Sequence, residues 1–222
     1  MQDTSCYNQN MKLTKYQHAC FTLEKDSKLL VVDPGELSRD YRPSTGVVVV
    51  VITHEHFDHL SLPILSAIIA LNPDVKIFTP RSVASKIDLQ ANCVEIVSPG
   101  DDMSIGGFKL VFGGGLHASI HTEFHAPFEN ITLLVDDRIY YPGDSLVQPD
   151  ESLDVLLLPI SAPWMKISES MDFLTRIKPR VAIPTHDGIL STDGIAVYDN
   201  WYKLAASKIG ADYIRLTESI EI

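Results

Sequence analysis

The sequence predicts an α/β protein with the architecture of a four-layer αββα sandwich, in which helices cover the outer faces of two sheets. The chain has 222 residues, of which 45% are hydrophobic, so it is large enough to form a substantial core. Short strands, some of them fully apolar, alternate with helical segments, and this order occurs twice along the chain. The repetition favours two similar halves, each consisting of a sheet with its helices outside.

Residues 11 to 222 are expected to form a single domain, preceded by a flexible extension of residues 1 to 10. The extension is polar and lacks the apolar segment of a secretory signal, and no window approaches the roughly 18 apolar residues of a membrane span. Cys6, Cys20 and Cys93 have no paired spacing, and an odd number suits a reducing compartment better than a disulfide framework. We therefore expect a cytoplasmic protein without a membrane partner.

The net charge of the chain limits the classes of partner that it is expected to bind. It carries 18 basic and 29 acidic residues, for a formal net charge of −11, and its isoelectric point is about 5.0. Binding of nucleic acid independently of its sequence requires a basic face. Nucleic acid is therefore an unfavoured partner and a small-molecule substrate is expected, while the oligomeric state, including a homo-oligomer, is left open.

The first half is expected to open with an antiparallel meander of three strands, Met11 to Tyr16, Ala19 to Lys25 and Lys28 to Val32. The run Gly46 to Ile52 shows no polar alternation, which is typical of a strand buried on both faces. Strands and helices then alternate: helix Leu62 to Leu71, strand Val75 to Phe78, helix Ser82 to Leu89 and strand Cys93 to Val97.

The second half repeats this order. The strand Phe108 to Phe112 is expected to end in a glycine-rich bend at Gly113-Gly114-Gly115, and a hairpin is expected around Asp136-Asp137. The remaining predicted elements are strand Ile131 to Val135, strand Arg138 to Tyr141, strand Val155 to Leu158, helix Ile167 to Ile177, strand Val181 to Ile183, helix Tyr198 to Ile209 and strand Tyr213 to Leu216.

A cluster of histidine and aspartate follows the buried strand of the first half, in Thr53-His54-Glu55-His56-Phe57-Asp58-His59-Leu60. His54 and His56 are two residues apart in extended chain, so their side chains can project to the same side. Asp58 and His59 fall where the chain turns toward the next helix and could face a second point. Imidazole and carboxylate suit zinc, manganese or iron, and strand ends of open α/β folds are where sites occur. The stretch therefore predicts a metal site rather than a histidine-rich surface loop.

The pattern His54-x-His56-x-Asp58-His59 resembles the HxHxDH signature of the metallo-β-lactamase superfamily, and the resemblance extends over nearly the whole chain from Met11. It implies the αββα fold named after that superfamily, with one or two metal ions. The implied ligands are His54, His56, His117 and Asp144 for one metal, and Asp58, His59, Asp144 and His186 for the other. His121 is the rival of His117 as third histidine, and Asp144, in Pro142-Gly143-Asp144-Ser145, is the implied bridging carboxylate.

Further residues have a weaker case for a place near the metals. The resemblance implies that Asp33 supports the metal site without binding the metal, although a simple turn residue in Asp33-Pro34-Gly35 explains it equally well. His18 could line the mouth of the site, but a surface or core histidine is the favoured interpretation. His121 and His125 could contact substrate or lie in a solvated loop. Trp164 could wall the pocket or simply pack in the core.

The implied cofactors are two divalent metal ions, with zinc ahead of manganese and iron, and one-metal occupancy is left open. The implied activity is hydrolysis of a small ester, lactone or phosphodiester by a metal-activated water or hydroxide, with Asp58 accepting or donating a proton. The pattern His117-Ala118-Ser119, with Thr185-His186-Asp187 near the end, looks like that of the small cytosolic metal-dependent hydrolases that include ascorbate-6-phosphate lactonase. Too few residues follow His186 for the helical substrate domain of glyoxalase II enzymes. The alternatives are a nuclease or phosphodiesterase acting on nucleic acid, and a non-catalytic metal-binding protein.

Overall fold

The computed structural model describes residues 11–87, 93–121, 123 and 128–222. The predicted flexible extension, residues 1–10, and the candidate substrate contact His125 lie outside the described residues. The first half of the chain contains β1 (Lys12–Lys15), β2 (Phe21–Lys25), β3 (Lys28–Val32), β4 (Val47–Val51), α1 (Leu62–Leu71), β5 (Lys76–Thr79), α2 (Arg81–Ala84) and β6 (Val94–Ile96). The second half contains β7 (Asp102–Ile105), β8 (Phe108–Leu116), β9 (Glu129–Val135), β10 (Ile139–Tyr141), β11 (Val155–Pro159), α3 (Ile167–Ile177), β12 (Val181–Thr185), α4 (Thr192–Ile209), β13 (Asp212–Tyr213) and β14 (Ile220–Glu221).

The strands form two seven-stranded sheets with matching topology. Their orders are β14-β1-β2-β3-β4-β5-β6 and β13-β12-β11-β10-β9-β8-β7. In the first sheet β1, β2 and β3 form the predicted antiparallel meander, and β3 to β6 are parallel. In the second sheet β7 to β10 are antiparallel, and β10 to β13 are parallel. The prediction of two similar halves is confirmed.

Three apolar layers hold the four structural layers together. Phe21, Phe108 and Phe112 belong to the central layer, where the inner faces of the two sheets pack against each other. A second cluster joins helix α1 to the outer face of the first sheet, and a third joins α3 and α4 to the outer face of the second sheet. This arrangement confirms the predicted αββα sandwich. Among the helices that the structure describes, none has both the length and the apolar character needed to cross a membrane.

The predicted bend at the glycine run is wrong, because β8 continues through it to Leu116. Gly113, Gly114 and Gly115 pair with Thr132, Ile131 and Asn130 of β9. A side chain at Gly114 would place its Cβ 2.8 Å from the carbonyl oxygen of Asn130, and the φ angle of Gly114 is +89°. The glycines therefore allow the two strands to approach closely, rather than ending the strand.

Other element boundaries also differ from the prediction. Helix α4 begins at Thr192 instead of Tyr198, because the Ser191 side chain accepts a hydrogen bond from Gly194 N at 3.1 Å and caps the helix. The strands β7 and β14 were not predicted, and β13 ends at Tyr213 rather than Leu216. Helix α2 is confined to Arg81–Ala84. Two-residue strands such as β13 and β14 are too short to show a periodic pattern in sequence.

Candidate metal centre

The predicted site residues follow strands of both sheets. Asp33 follows β3, and the cluster His54 to His59 follows β4, in the first sheet. His117 follows β8, Asp144 lies three residues after β10, and His186 follows β12, in the second sheet. The chain therefore assembles the site across the interface between the two sheets, at strand ends where open α/β folds place their functional residues.

The side chains form two groups whose nitrogen and oxygen atoms lie close enough to hold metal ions. Within each group the donor atoms all lie within 4.8 Å of one another. The first group is His54, His56, His117 and Asp144, and the second is His18, Asp58, His59 and His186. Asp144 also approaches the second group, at 3.2 Å from His59 Nε2 and 3.0 Å from His186 Nε2. The structure brings together all of the ligands implied by the sequence, and His18 lies among them.

The donor set fits a metal ion. His54 Nε2, His59 Nε2, His186 Nε2 and Asp144 Oδ1 are buried and make no hydrogen bond within the described part of the chain. For His59 and His186 this holds although their Nε2 atoms lie 3.2 Å and 3.0 Å from Asp144 oxygens. A buried polar atom without a partner costs about 1–3 kcal/mol. Imidazole nitrogen and carboxylate oxygen that converge in this way are the ligands that zinc and similar divalent cations take in proteins.

Asp33 supports His59, one of the implied ligands, on the side of its ring that faces away from the other donors. Its Oδ2 atom lies 2.7 Å from His59 Nδ1 and accepts a hydrogen bond from the Tyr141 hydroxyl at 2.9 Å. Thr53 donates to the same carboxylate through its amide at 2.8 Å and its hydroxyl at 2.7 Å. Asp33 also has a φ angle of 45°, so it turns the chain as well. The carboxylate of Asp33 fixes the ring of His59 with Nε2 toward the centre.

Replacing Asp33 with asparagine is expected to lower the affinity for Zn²⁺ by about 10–100-fold, because the amide cannot accept all of these hydrogen bonds. The measurement is a Zn²⁺ titration against a competing chelator. Asp26→Asn is the matched control, since Asp26 is an exposed turn residue with a φ of 51°. Equal affinities in the two variants would show that Asp33 only turns the chain.

The structure brings His117 into the centre and leaves His121 outside it. His117 is buried, with Nε2 3.2 Å from Asp144 Oδ2 and its ring centroid 4.6 Å from that of His56. His121 is exposed, and its Nδ1 atom accepts a hydrogen bond from Glu123 N at 3.2 Å. Of the two rivals for the third histidine, only His117 therefore has its donor atom among the others.

His18 and Trp164 lie closer to the candidate metal-binding side chains than the sequence indicated. His18 is fully buried and its Nε2 atom lies 2.9 Å from Asp58 Oδ2. The favoured interpretation of His18 was a surface or core histidine, and the structure places its buried ring beside two of the implied ligands, Asp58 and His186. Trp164 donates from Nε1 to Asp144 Oδ2 at 2.8 Å, and its ring centroid lies 6.0 Å from that of His117. Trp164 thus forms a wall beside the donors.

Sequence reasoning missed several supporting residues. Thr53 lies within the motif stretch, and a hydroxyl residue directly before the first histidine was an available signal for its role. Tyr141 is 108 residues from Asp33, and nothing in its local pattern indicates their contact. Asn130 accepts a hydrogen bond from Asp144 N at 2.9 Å through its side chain and so holds that aspartate in place. Such long-range contacts carry no periodicity that a sequence could reveal.

The pKa values of the centre are strongly shifted by the charges that its side chains place close together. Burial opposes charge on His59, but the carboxylates of Asp144 and Asp33 more than offset it, so the pKa of His59 is raised well above its ordinary value. Burial would raise the pKa of Asp144, but His186 and His59 hold it well below the usual range. Asp58 also has a lowered pKa, because its hydrogen bond with His18 and the nearby rings of His59 and His186 outweigh its burial. Burial lowers the pKa of His18 to about 4.

Metal affinity is expected to increase with pH. Although burial opposes it, Asp144 raises the pKa of His186 to about 9, so below that pH a metal ion must displace a proton from His186. The affinity for Zn²⁺ should therefore rise between pH 6 and pH 8, by about tenfold per pH unit for each proton released. Isothermal titration calorimetry in buffers of different ionisation enthalpy counts these protons. Binding without proton release would contradict the expectation.

Comparisons with known proteins agree with this geometry. Residues 12–186 match the family model of the beta-lactamase superfamily domain. Protein Rv0786c of Mycobacterium tuberculosis is 35% identical over 193 residues, covering 85% of this chain and 89% of that protein. A UPF0173 metal-dependent hydrolase of Aeropyrum pernix is 32% identical over 209 residues, covering 80% of this chain and 82% of that protein.

Solved structures show the same fold. The metallo-beta-lactamase fold protein YhfI from Bacillus subtilis superposes with a TM-score of 0.71 at 16% identity, covering 97% of this chain and 100% of that chain. Igni18, a novel metallo hydrolase from Ignicoccus hospitalis, superposes with a TM-score of 0.68 at 18% identity, covering 96% and 97% of the two chains. At these identities the likeness concerns the arrangement of strands and helices.

Proposed function

Because the chain belongs to the beta-lactamase superfamily and is a metal-dependent hydrolase with the metallo-β-lactamase fold, we propose that it binds two divalent metal ions and hydrolyses a small ester, lactone or phosphodiester. The observation that carries this proposal is the convergence of two groups of buried donors on Asp144. A carboxylate has two oxygens, each of which can hold one cation, so a shared aspartate suits a dinuclear site.

The proposed ligands of one metal are His54, His56, His117 and Asp144, and those of the other are Asp58, His59, His186 and Asp144. Zinc is the first choice because imidazole nitrogen supplies most of the donors, and manganese or iron would fit the same mixture. A single occupied position is the alternative. Its natural location is the first group, whose donors include three histidines and the carboxylate of Asp144.

When bound, the metals would lower the pKa of a water molecule and polarise an oxygen of the substrate. The protein supplies the other requirements. The proposed role of Asp58 is to accept or donate a proton during hydrolysis. Trp164 is half-buried beside His117 and His186, where it limits the access of bulk water and steadies Asp144 by a hydrogen bond.

The proposed substrate is a small molecule, and the proposed location is the cytoplasm. The acidic balance of the chain, with a formal net charge of −11, disfavours a nucleic-acid substrate. The buried Cys20 is a free thiol, as expected in a reducing compartment. We also propose that residues 11–222 act as one domain, since β14 closes the edge of the first sheet by pairing with β1.

Two alternatives make different predictions. A nuclease would bind oligonucleotides with an affinity that falls steeply as salt increases. A metal-binding protein without turnover would hold metal yet hydrolyse none of the ester, lactone and phosphodiester substrates. The names of relatives such as the Aeropyrum pernix metal-dependent hydrolase support the catalytic proposal.

The test of the proposed function is elemental analysis of the purified protein, together with hydrolysis assays on generic phosphodiesters and lactones. We expect about two equivalents of metal in the wild type. His54→Ala should lose both metal and activity, and added Zn²⁺ should restore the activity of chelator-treated wild type. His121→Ala is the matched control, because His121 is an exposed histidine outside the two donor groups. A wild-type protein without metal, or a His54→Ala variant with full metal content, would overturn the proposal.

A further inference from the structure

We propose that His18 is a positioning residue that donates a hydrogen bond from Nε2 to Asp58, and that it is not a metal ligand although it lies among the donors. The inference deepens the proposed function and rests on it for the role of Asp58. His18 Nε2 is 2.9 Å from Asp58 Oδ2, and the ring of His18 is fully buried. Distance alone would allow either role, so the decision depends on which ring nitrogen carries the proton.

Three of the histidines proposed as ligands share one orientation. His59 Nδ1 faces Asp33 Oδ2 at 2.7 Å, His117 Nδ1 faces the carbonyl oxygen of Ala118 at 2.5 Å, and His186 Nδ1 faces the carbonyl oxygen of Ser161 at 2.6 Å. These oxygens can only accept hydrogen bonds, so each Nδ1 carries a proton. In a neutral imidazole the lone pair is then on Nε2, which points toward the centre and can bind a metal.

His54 shows the same orientation through a relay. The Thr53 hydroxyl donates its proton to Asp33 Oδ2 at 2.7 Å. The same hydroxyl oxygen lies 3.0 Å from His54 Nδ1, where it can only accept. His54 is therefore also protonated on Nδ1, and its buried Nε2 has a free lone pair.

His18 has the opposite orientation. The backbone amide of Gly188 donates to His18 Nδ1 at 3.1 Å, so that nitrogen is an acceptor and carries no proton. The single proton of the neutral ring is then on Nε2, the atom that faces Asp58. A protonated nitrogen has no lone pair for a metal ion, but it is a hydrogen-bond donor. His18 therefore fixes the orientation of the Asp58 carboxylate.

The backbone around His18 is arranged to hold this orientation. His18 has a φ of 60°, in the left-handed region that residues other than glycine rarely adopt. The amide of His186 donates to the carbonyl oxygen of His18 at 3.0 Å. Together with the hydrogen bond from Gly188 N, the turn after β12 therefore donates two hydrogen bonds to His18. A Cβ atom at Gly188 would lie 3.0 Å from His18 Cβ, which explains why the turn has a glycine there. The turn that carries His186 also sets the direction of His18.

The test combines a direct observation of the proton with two substitutions. Long-range ¹H–¹⁵N correlation spectra of ¹⁵N-histidine protein, metal-free and loaded with Zn²⁺, report which nitrogen of each ring is protonated. His18→Gln identifies the signals of His18 and keeps a donor near the position of Nε2, while His18→Leu removes the donor. We expect a proton on His18 Nε2 in both states, and about two equivalents of metal in both variants at saturating Zn²⁺.

The kinetic part of the test separates positioning from mere structural support. His18→Leu should lower kcat by about 10–100-fold, and His18→Gln should recover most of that loss, with equal melting temperatures of the two variants. A deprotonated, metal-bound Nε2 in loaded protein, or the loss of one metal equivalent from His18→Gln, would overturn the inference. So would a His18→Gln variant with the same kcat as His18→Leu. If wild type binds no metal, the proposed function fails, and the spectra of metal-free protein still decide the position of the proton.

Discussion

Replacing Asp144 with asparagine is expected to lower the metal content below that of the wild type and to reduce hydrolysis by more than about 100-fold. Replacing a residue that only supports a metal ligand costs about 10–100-fold in metal affinity. A larger effect is expected for Asp144, because it is placed to bind the metal itself. Its oxygens lie 3.2 Å from His59 Nε2, 3.2 Å from His117 Nε2 and 3.0 Å from His186 Nε2. A neutral amide offers one acceptor oxygen, so it cannot serve two cations at once.

The comparison variant for Asp144→Asn is Asp150→Asn, which makes the same chemical change at an exposed position after β10. Elemental analysis and the hydrolysis assay are applied to both proteins, with circular dichroism to verify that each is folded. If a folded Asp144→Asn protein kept two equivalents of metal and wild-type activity, a shared carboxylate would not be part of the mechanism.

Replacing Gly35 with alanine is expected to lower metal binding by a similar factor, although Gly35 has no side chain that could bind a metal. A Cβ atom at position 35 would lie 1.9 Å from the carbonyl oxygen of Asp58 and 2.5 Å from the amide nitrogen of His59. The segments are also tied together, because Glu36 N donates to the carbonyl oxygen of Phe57 at 2.8 Å. The alanine must push the Asp58-His59 backbone away, so the two proposed ligands Asp58 and His59 move together.

We expect Gly35→Ala to lose at least about 100-fold in Zn²⁺ affinity, beyond the effect of a supporting residue, and to lower the free energy of unfolding by about 1–3 kcal/mol or more. Urea unfolding and chelator competition measure the two quantities. Gly194→Ala is the control, since its Cβ would make only ordinary contacts with Leu190 and Ser191, and alanine should stabilise α4 by roughly 0.5–1 kcal/mol. Wild-type affinity in Gly35→Ala would mean that the Asp58-His59 backbone adapts without moving the ligands.

The sequence predicted those parts of the fold and site that depend on local patterns. Helices α1 and α3 and strand β3 have the predicted bounds, because their apolar periodicity or turn residues are local signals. The cluster His54 to His59 was visible for the same reason. The ligands His117, Asp144 and His186 were implied by resemblance to a known family, since nothing in a local pattern brings them to one point.

The features that escaped prediction depend on tertiary contacts. The glycine run of β8 resembles a bend in sequence, and only the close approach of β9 explains why it remains a strand. The role of His18 depends on a φ of 60° and on an amide donated by Gly188, 170 residues away. The Tyr141 hydroxyl reaches Asp33 across the space between the two sheets. Backbone strain and contacts between distant segments leave no periodic trace in a sequence.

The pairing of β14 with β1 has a consequence for how the molecule folds. Lys12 of β1 is opposite Glu221 of β14, so a strand made early in synthesis pairs with one made more than 200 residues later. Until then, β1 exposes an unpaired edge that could pair with another chain. Contacts of such long sequence separation slow folding, because the intervening loop must close first. Because β14 follows every strand of the second sheet in the chain, we expect the first sheet to be completed only after all strands of the second sheet have been synthesised.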